Sequence, residues 1–297
     1  MAQLPAHTAT APGLAEEFVT AATAAGVEPP FVERYLRHVD ETVLQERSPE
    51  QLVAMATTHR RVAARRAPDE TIVEIVDGVL HVVTADRPFL VDSVLGELGV
   101  EGVAVALLIH PLFAVRRDDD GTLVEVVDRD PRSGHTDPHL HDESRIRIEF
   151  ADRVDVSLLR ERVVEVVDAV AATVDDWDAM KAATLEAAAF PEGGRGIGSE
   201  QSRGAAAEFL HWLGDDHFTF IGSRDHVVDE DATVTPIPGS GLGMLRSDST
   251  AESITPLGEL ARPHRPRDEL PVHRQVACRA AGPPGHPPRP RRRAVHR

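Results

Sequence analysis

Hydrophobic positions in the first part of the chain repeat at helical spacing. Phe31, Tyr35 and Val39 fall on one face of a helix. Residues 48–51, Ser-Pro-Glu-Gln, combine a serine N-cap, a proline at the first helical position and a capping-box glutamine, which together indicate a second helix start. The pattern predicts a helical N-terminal segment over residues 1–68.

Further along the chain, the apolar positions alternate as they do in strands. Residues 71–76 and 79–86 are separated by Asp77-Gly78, a dipeptide typical of tight hairpin turns. Residues 102–116 alternate over enough positions to predict one long strand, in which Pro111 marks an edge position or a late bulge. These segments favour an antiparallel sheet.

Two more strands and two helices are predicted next. Residues 122–127 pair back after a turn, and residues 144–150 alternate apolar with charged side chains, which predicts a strand with one solvent-facing side. An apolar stripe predicts a helix over residues 155–175, and an alanine-rich segment predicts another over residues 177–190. The predicted fold class is α+β, with an antiparallel sheet and helices on one of its faces over residues 69–190.

A second, shorter α/β module is predicted to begin within residues 191–261. A glycine-rich linker at residues 191–196 precedes a helix and strands at residues 217–228 and 233–237. Residues 262–297 contain ten arginines, two acidic residues and no apolar period. That composition predicts a disordered tail.

Composition disfavours several classes of protein. A net charge of −17 over 297 residues disfavours nucleic acid and anionic membranes as partners. No apolar run reaches the roughly 18 residues of a membrane helix, and the N-terminus lacks the features of a signal peptide. Cys278 is the single cysteine, which excludes an internal disulfide. We therefore expect a cytoplasmic protein.

Several motifs resemble one family. Residues 82–115 contain a strand, Asp-Arg-Pro-Phe-Leu, a helix and a strand, an order similar to an ACT-type regulatory module. The forms FLVDSV and IHP within it resemble the N-terminal region of the large bacterial NAD-specific glutamate dehydrogenases. Further matches follow in order, and the resemblance covers about residues 30–246; they lie at residues 143–149, 207–213, 216–222 and 240–243.

The resemblance implies a non-catalytic role in regulation and assembly, because the family's NAD-binding and glutamate-binding domains lie far downstream of this region. It implies homo-oligomers formed through ACT-like modules, and no catalytic or cofactor-binding residues in this chain. The tail departs from the family pattern, which favours a truncated, frame-shifted C-terminus over a basic arm for nucleic acid. A free-standing ACT-type amino-acid-binding protein is the main alternative, and a metal-dependent hydrolase is a second.

Two features that could suggest catalysis have simpler interpretations. Lys181 is the only lysine in the chain, whereas the wider family uses several lysines for its chemistry. We expect it to be a surface residue. Residues 239–243, Gly-Ser-Gly-Leu-Gly, lack the spacing and the following helix of a dinucleotide fingerprint, so they are predicted to form a turn.

Residues 135–143 contain three histidines among acidic side chains, a chemistry that suits zinc. Because nothing in the pattern fixes a ligand geometry, a polar loop between strands is the favoured interpretation, and no metal is predicted. Ser93 and Ser144 lie in no motif typical of a nucleophile.

The best candidate site is the turn at residues 86–90, which joins a strand to a helix N-terminus where backbone N–H groups can hold a carboxylate. The resemblance to ACT-type modules implies an amino-acid effector near this connection, with Asp86, Arg87, Phe89 and Leu90 as contacts. The alternative is that Phe89 and Leu90 only pack the helix on the sheet, and for these two residues packing is the favoured interpretation.

Overall fold

The structure is a computed structural model. It describes residues 17, 20–134, 136–189, 200–228, 233–247 and 255–256. Its backbone contacts divide the chain into two compact units, one formed by residues 1–91 and 98–164 and the other by residues 92–97 and 165–297. The predicted linker and tail lie outside the described residues. The domain boundaries proposed from the sequence stay predictions.

The first unit begins with short helices. Residues 20–24 are helical, followed by α1 (Pro29–Leu36), α2 (Glu41–Gln45) and α3 (Pro49–Val62). Gln51 N donates to Ser48 Oγ at 3.3 Å, and Ser48 N donates to Gln51 Oε1 at 2.8 Å. This reciprocal pair is the predicted capping box, which satisfies two N–H groups that the helix itself leaves unpaired.

Six strands form one antiparallel sheet in the first unit, in the order β1-β2-β6-β4-β5, with β3 also paired to β6. Helix α4 (Leu90–Val100) connects β2 to β3, and α5 (Leu159–Asp175) follows β6. The α+β class and the antiparallel ACT-like sheet are confirmed. The strands are β1 (Ile72–Val76), β2 (Val79–Ala85), β3 (Val105–Ile109), β4 (Leu112–Arg117), β5 (Leu123–Val127) and β6 (Leu140–Phe150).

The predicted β1–β2 hairpin is confirmed. Val76 pairs with Val79, and both turn residues, Asp77 and Gly78, have positive φ angles, 52° and 77°. Positive φ at both central residues is the geometry that matches the twist of two antiparallel strands, and Asp-Gly adopts it readily.

The single long strand predicted for residues 102–116 is wrong. Strands β3 and β4 both pair with β6, but His110 and Pro111 separate them. Proline has no N–H to donate to a neighbouring strand, so the ladder is interrupted at this point.

The predicted solvent-facing side of the 144–150 strand is also wrong. Ile146 and Ile148 lie on one face of β6, fully buried, but Arg145 on the opposite face is buried to the same extent. Its guanidinium lies 5.8 Å from the centre of the Phe31 ring of α1. The helical segment therefore covers the charged face.

The helical segment and the sheet of the first unit share one apolar core. The rings of Phe31 and Phe113 stack with their centroids 5.0 Å apart. Leu52 from α3 and Val115 from β4 are fully buried in the same cluster. The apolar residues of α1 and α3, which recur at helical spacing in the sequence, are therefore the ones that pack on this face of the sheet.

The second unit contains α6 (Trp177–Ala189), α7 (Glu200–Trp212) and two small antiparallel sheets. The strand predicted over residues 217–228 is wrong as a continuous element, since two short strands, at residues 222–223 and 226–228, replace it. Ile221 O accepts hydrogen bonds from Met244 N and Thr173 Oγ1, contacts that differ from a regular ladder. The strands are β7 (Gly222–Ser223), β8 (His226–Val228), β9 (Thr233–Pro236), β10 (Leu242–Gly243) and β11 (Thr255–Pro256).

Within the part of the chain that the structure describes, no helix combines the length and the apolar character needed to cross a membrane.

Candidate functional site

Three sequence motifs that are far apart in the chain meet at one end of the sheet. Asp86 N, in the strand-to-helix turn, donates to Asp142 O at 2.8 Å. His110 Nε2, in the IHP motif, lies 2.6 Å from Ser144 Oγ on β6. The arrangement positions the turn, the β3–β4 break and the start of β6 against each other, so this end of the sheet is the candidate site.

The turn lies where the sequence predicted it, between the end of β2 at Ala85 and the start of α4 at Leu90. Leu90 is buried, which fits the packing interpretation. Phe89 fits it only in part, because 38 % of the residue is exposed. Asp86 and Arg87 are half-buried.

Phe89 also has a strained backbone, with φ at 72°. This left-handed conformation is unfavourable for a bulky residue and costs about 1–3 kcal/mol. Because 38 % of the residue stays exposed, burial of the ring offsets this strain only in part. Strain of this kind is concentrated at ligand-binding positions, so it marks Phe89 as the most informative residue of the turn.

A buried ionic cluster lies beside this site, where Glu143 of β6 is surrounded by arginines. Arg66 Nε and Arg117 Nε contact Glu143 Oε1 at 2.9 and 2.7 Å, and Arg145 Nη2 contacts Glu143 Oε2 at 3.1 Å. Each of these four residues is at most 2 % exposed.

Burial by itself would raise the pKa of Glu143, but Arg145, Arg117 and Arg66 outweigh that effect and lower the pKa to about 2. Glu143 is therefore ionised and fully engaged. It was assigned to a polar loop from the sequence, and no local signal could have found the cluster, because Arg66 and Arg117 come from distant segments.

The histidine-rich segment is divided between a loop and a strand. His135 lies outside the described residues, His139 is exposed in the loop, and His141 and Glu143 belong to β6, contrary to the predicted loop. Because Glu143 is bound by arginines, it is not available as a ligand. The described residues contain no group of three or more His, Cys, Asp or Glu side chains arranged to hold a metal.

The serine candidates are buried. Ser144 has no exposed surface, and Ser93 is 3 % exposed. A substrate cannot reach Ser144 Oγ. Its hydrogen bond with His110, which the sequence did not predict, instead stabilises the position of the β3–β4 break against β6.

The remaining sequence candidates lie in the second unit. Lys181 Nζ donates to Asp216 Oδ1 at 2.7 Å on a partly exposed surface. A turn at residues 238–239 leads into the short strand β10 at Leu242–Gly243, and no helix follows within the described residues up to 247. Gly243 N donates to Asp176 Oδ2 at 2.7 Å. Both arrangements have structural roles that account for these residues.

Fold and motifs together define an ACT-like α+β module. Residues 31–163 match the model of the glutamate dehydrogenase ACT1 domain, a range that includes most of α1, all of α2 to α4 and all six strands of the sheet. This part of the chain is similar to the N-terminal region of the large NAD-specific glutamate dehydrogenases, as its motifs predicted.

Three curated relatives are all NAD-specific glutamate dehydrogenases. The chain is 33 % identical over 177 residues to the NAD-specific glutamate dehydrogenase of Halomonas elongata, and the match covers 57 % of this chain and 10 % of that protein. The enzymes of the same name from Pseudomonas aeruginosa and Mycobacterium tuberculosis are each 31 % identical, over 52 % and 65 % of this chain. These matches cover 9 % and 12 % of the two relatives. The chain thus matches about a tenth of each relative's length.

Proposed function

We propose that this chain is a non-catalytic regulatory and assembly region of an NAD-dependent glutamate dehydrogenase. The match of residues 31–163 to the ACT1 domain carries the proposal, because it covers both the sheet and its motif-bearing end. In the intact cytoplasmic protein, NAD and glutamate would be bound by other domains, and the ACT-like modules would mediate homo-oligomerisation.

The turn at residues 86–90 is the proposed contact for an amino-acid effector. Backbone N–H groups at the start of α4 and the Arg87 guanidinium would bind the effector carboxylate. Phe89, exposed and held in a strained conformation, would cover the effector side chain.

Calorimetric titration of the full chain with the common amino acids tests this site. We expect saturable heat for at least one amino acid, lost in Arg87→Ala and retained in Arg153→Ala, a control that removes an exposed arginine of the same unit. Flat isotherms for every amino acid would contradict the effector site.

Phe89→Gly separates strain from folding. Glycine adopts positive φ without strain, but it also removes a partly buried ring and raises the entropy of the unfolded chain. These effects oppose each other, so the free energy of unfolding should change by no more than about 1 kcal/mol while the effector binds less tightly. A larger loss of stability would show that Phe89 contributes mainly to packing.

A mixture of the full chain, glutamate and NAD tests the non-catalytic role. No increase in NADH absorbance is expected. Glutamate-dependent NADH formation by the purified chain would overturn the proposal.

A further inference from the structure

We propose that a groove between α3 and the β1–β2 hairpin of the first unit binds a small carboxylate. The groove has a volume of about 290 Å³ and is separate from the turn at residues 86–90. Its polar lining comes from the helical segment and from the sheet: Arg47, Gln51, Thr58, Asp77, His81 and Arg147.

Arg147, on β6, is a buried cation with an unused hydrogen-bond donor. Its side chain is 7 % exposed, and its Nη1 donates to Glu149 Oε1 at 2.6 Å. Its buried Nε–H has no hydrogen-bond partner among the described residues. A buried N–H of a charged group without an acceptor is destabilising, and Arg147 lines the groove, so a ligand oxygen bound against its guanidinium would supply the missing acceptor.

His81, on β2, adds a second buried polar atom without a partner. It is 1 % exposed, and its Nδ1 makes no hydrogen bond to the described residues. Burial, reinforced by the charges of Arg147 and Arg61, lowers its pKa to about 4. The imidazole is therefore neutral at pH 7, and it offers a hydrogen bond to the ligand without adding charge.

The charges that line the groove differ between its buried and exposed parts. Arg47 Nη2 and Arg147 Nη1 both contact the Glu149 carboxylate, so two guanidiniums share one counter-charge. Asp77, exposed at the hairpin tip, also lines the groove. A ligand carboxylate would therefore lie against Arg147, and a ligand ammonium group, where present, would lie near Asp77.

The size of the groove restricts its occupant. A volume of about 290 Å³ lies at the lower limit of small-molecule pockets, which suits an acid of a few carbon atoms and excludes a dinucleotide. Simple carboxylic acids and α-amino acids share the carboxylate that this chemistry recognises, and the ammonium group distinguishes them.

The Nε–H resonance of Arg147 in ¹H–¹⁵N spectra of the full chain provides the test. Propionate, L-alanine and inorganic phosphate are titrated separately at constant pH and ionic strength. Propionate or L-alanine should shift the resonance saturably. Absence of a saturable shift with both acids, or an equal shift with phosphate, would overturn the proposal.

Three variants sharpen the test. Ala54→Leu fills the groove without changing a charge and should weaken binding by about tenfold, whereas Ala187→Leu, the same change at an exposed position of α6, should not.

Asp77→Asn should reduce the affinity for L-alanine to that for propionate if the amino acid is the preferred ligand. Arg87→Ala should leave the shift of the Arg147 resonance unchanged. A negative result for the effector site at residues 86–90 therefore does not contradict binding in the groove, and the reverse also holds.

Discussion

Arg116 and Arg117 are neighbours on β4, and each forms an ion pair, but on opposite faces of the strand. Arg117 pairs with Glu143, and these side chains are 2 % and 0 % exposed. Arg116 pairs with Asp137, and these side chains are 39 % and 36 % exposed. Arg117 Nη1 also donates to the carbonyl of Gly121 at 2.7 Å.

The comparison shows how burial changes the role of the same interaction. The exposed pair is surrounded by water, which hydrates either partner when the other is removed. The buried cluster has lost that hydration, so all three arginines depend on Glu143, and Arg66 and Arg117 depend also on nearby carbonyl groups. We therefore expect the buried pair to contribute far more to the stability of the first unit than the exposed pair does.

Removing the central carboxylate should have the largest effect. Glu143→Gln leaves three buried guanidiniums without their counter-charge and should lower the free energy of unfolding by about 3–5 kcal/mol. Urea denaturation measures the change. Asp137→Asn is the matched control on the exposed side and should leave the free energy of unfolding nearly unchanged. An equal loss of unfolding free energy in the two variants would show that burial does not distinguish the two ion pairs.

Acid should destabilise the wild type through Glu143. Its folded pKa of about 2 lies below the unfolded value of 4.5, so its contribution is fully present above about pH 5 and is lost as pH falls toward 2. The shift corresponds to about 3 kcal/mol. Urea midpoints between pH 7 and pH 3 should fall less steeply in Glu143→Gln than in the wild type, while Asp137→Asn retains most of the wild-type slope.

Gly121 tests the turn that supports the buried side. It has a φ of 80°, and a Cβ there would lie 2.5 Å from the carbonyl oxygen of Arg66. Gly121→Ala should cost about 2–3 kcal/mol, from backbone strain plus this clash. Gly78→Ala, at φ 77° with nothing within 4 Å of the added Cβ, should cost about 1–2 kcal/mol from strain alone. Equal melting temperatures would show that the Arg66 carbonyl moves aside.

The smallest effect is expected at the exposed pair itself. Arg116→Ala removes the contacts to Asp137 and Glu125, and the free energy of unfolding should change far less than in Glu143→Gln. Thermal unfolding at low and high salt measures it. A loss as large as that of Glu143→Gln would refute the ranking by burial.

The sequence predicted the position of the candidate site, but it did not predict the exposure and backbone conformation of Phe89. The order strand, turn, helix is a local pattern, so the turn at residues 86–90 was located from the sequence. Phe89 was expected to pack, yet it is exposed with a left-handed backbone. No residue-level pattern reports a positive φ at phenylalanine, because neighbouring structure imposes it.

The sequence by itself determined the local elements: the capping box at Ser48, the Asp77-Gly78 hairpin and the alternation along β6. The tertiary structure alone decided what covers each face of β6. An alternating strand has the same pattern whether its charged face meets water or a helix. Only the packing of α1 and α3, together with Arg66 and Arg117 from distant segments, makes burial of Glu143 favourable, because the arginines replace the water that the carboxylate loses.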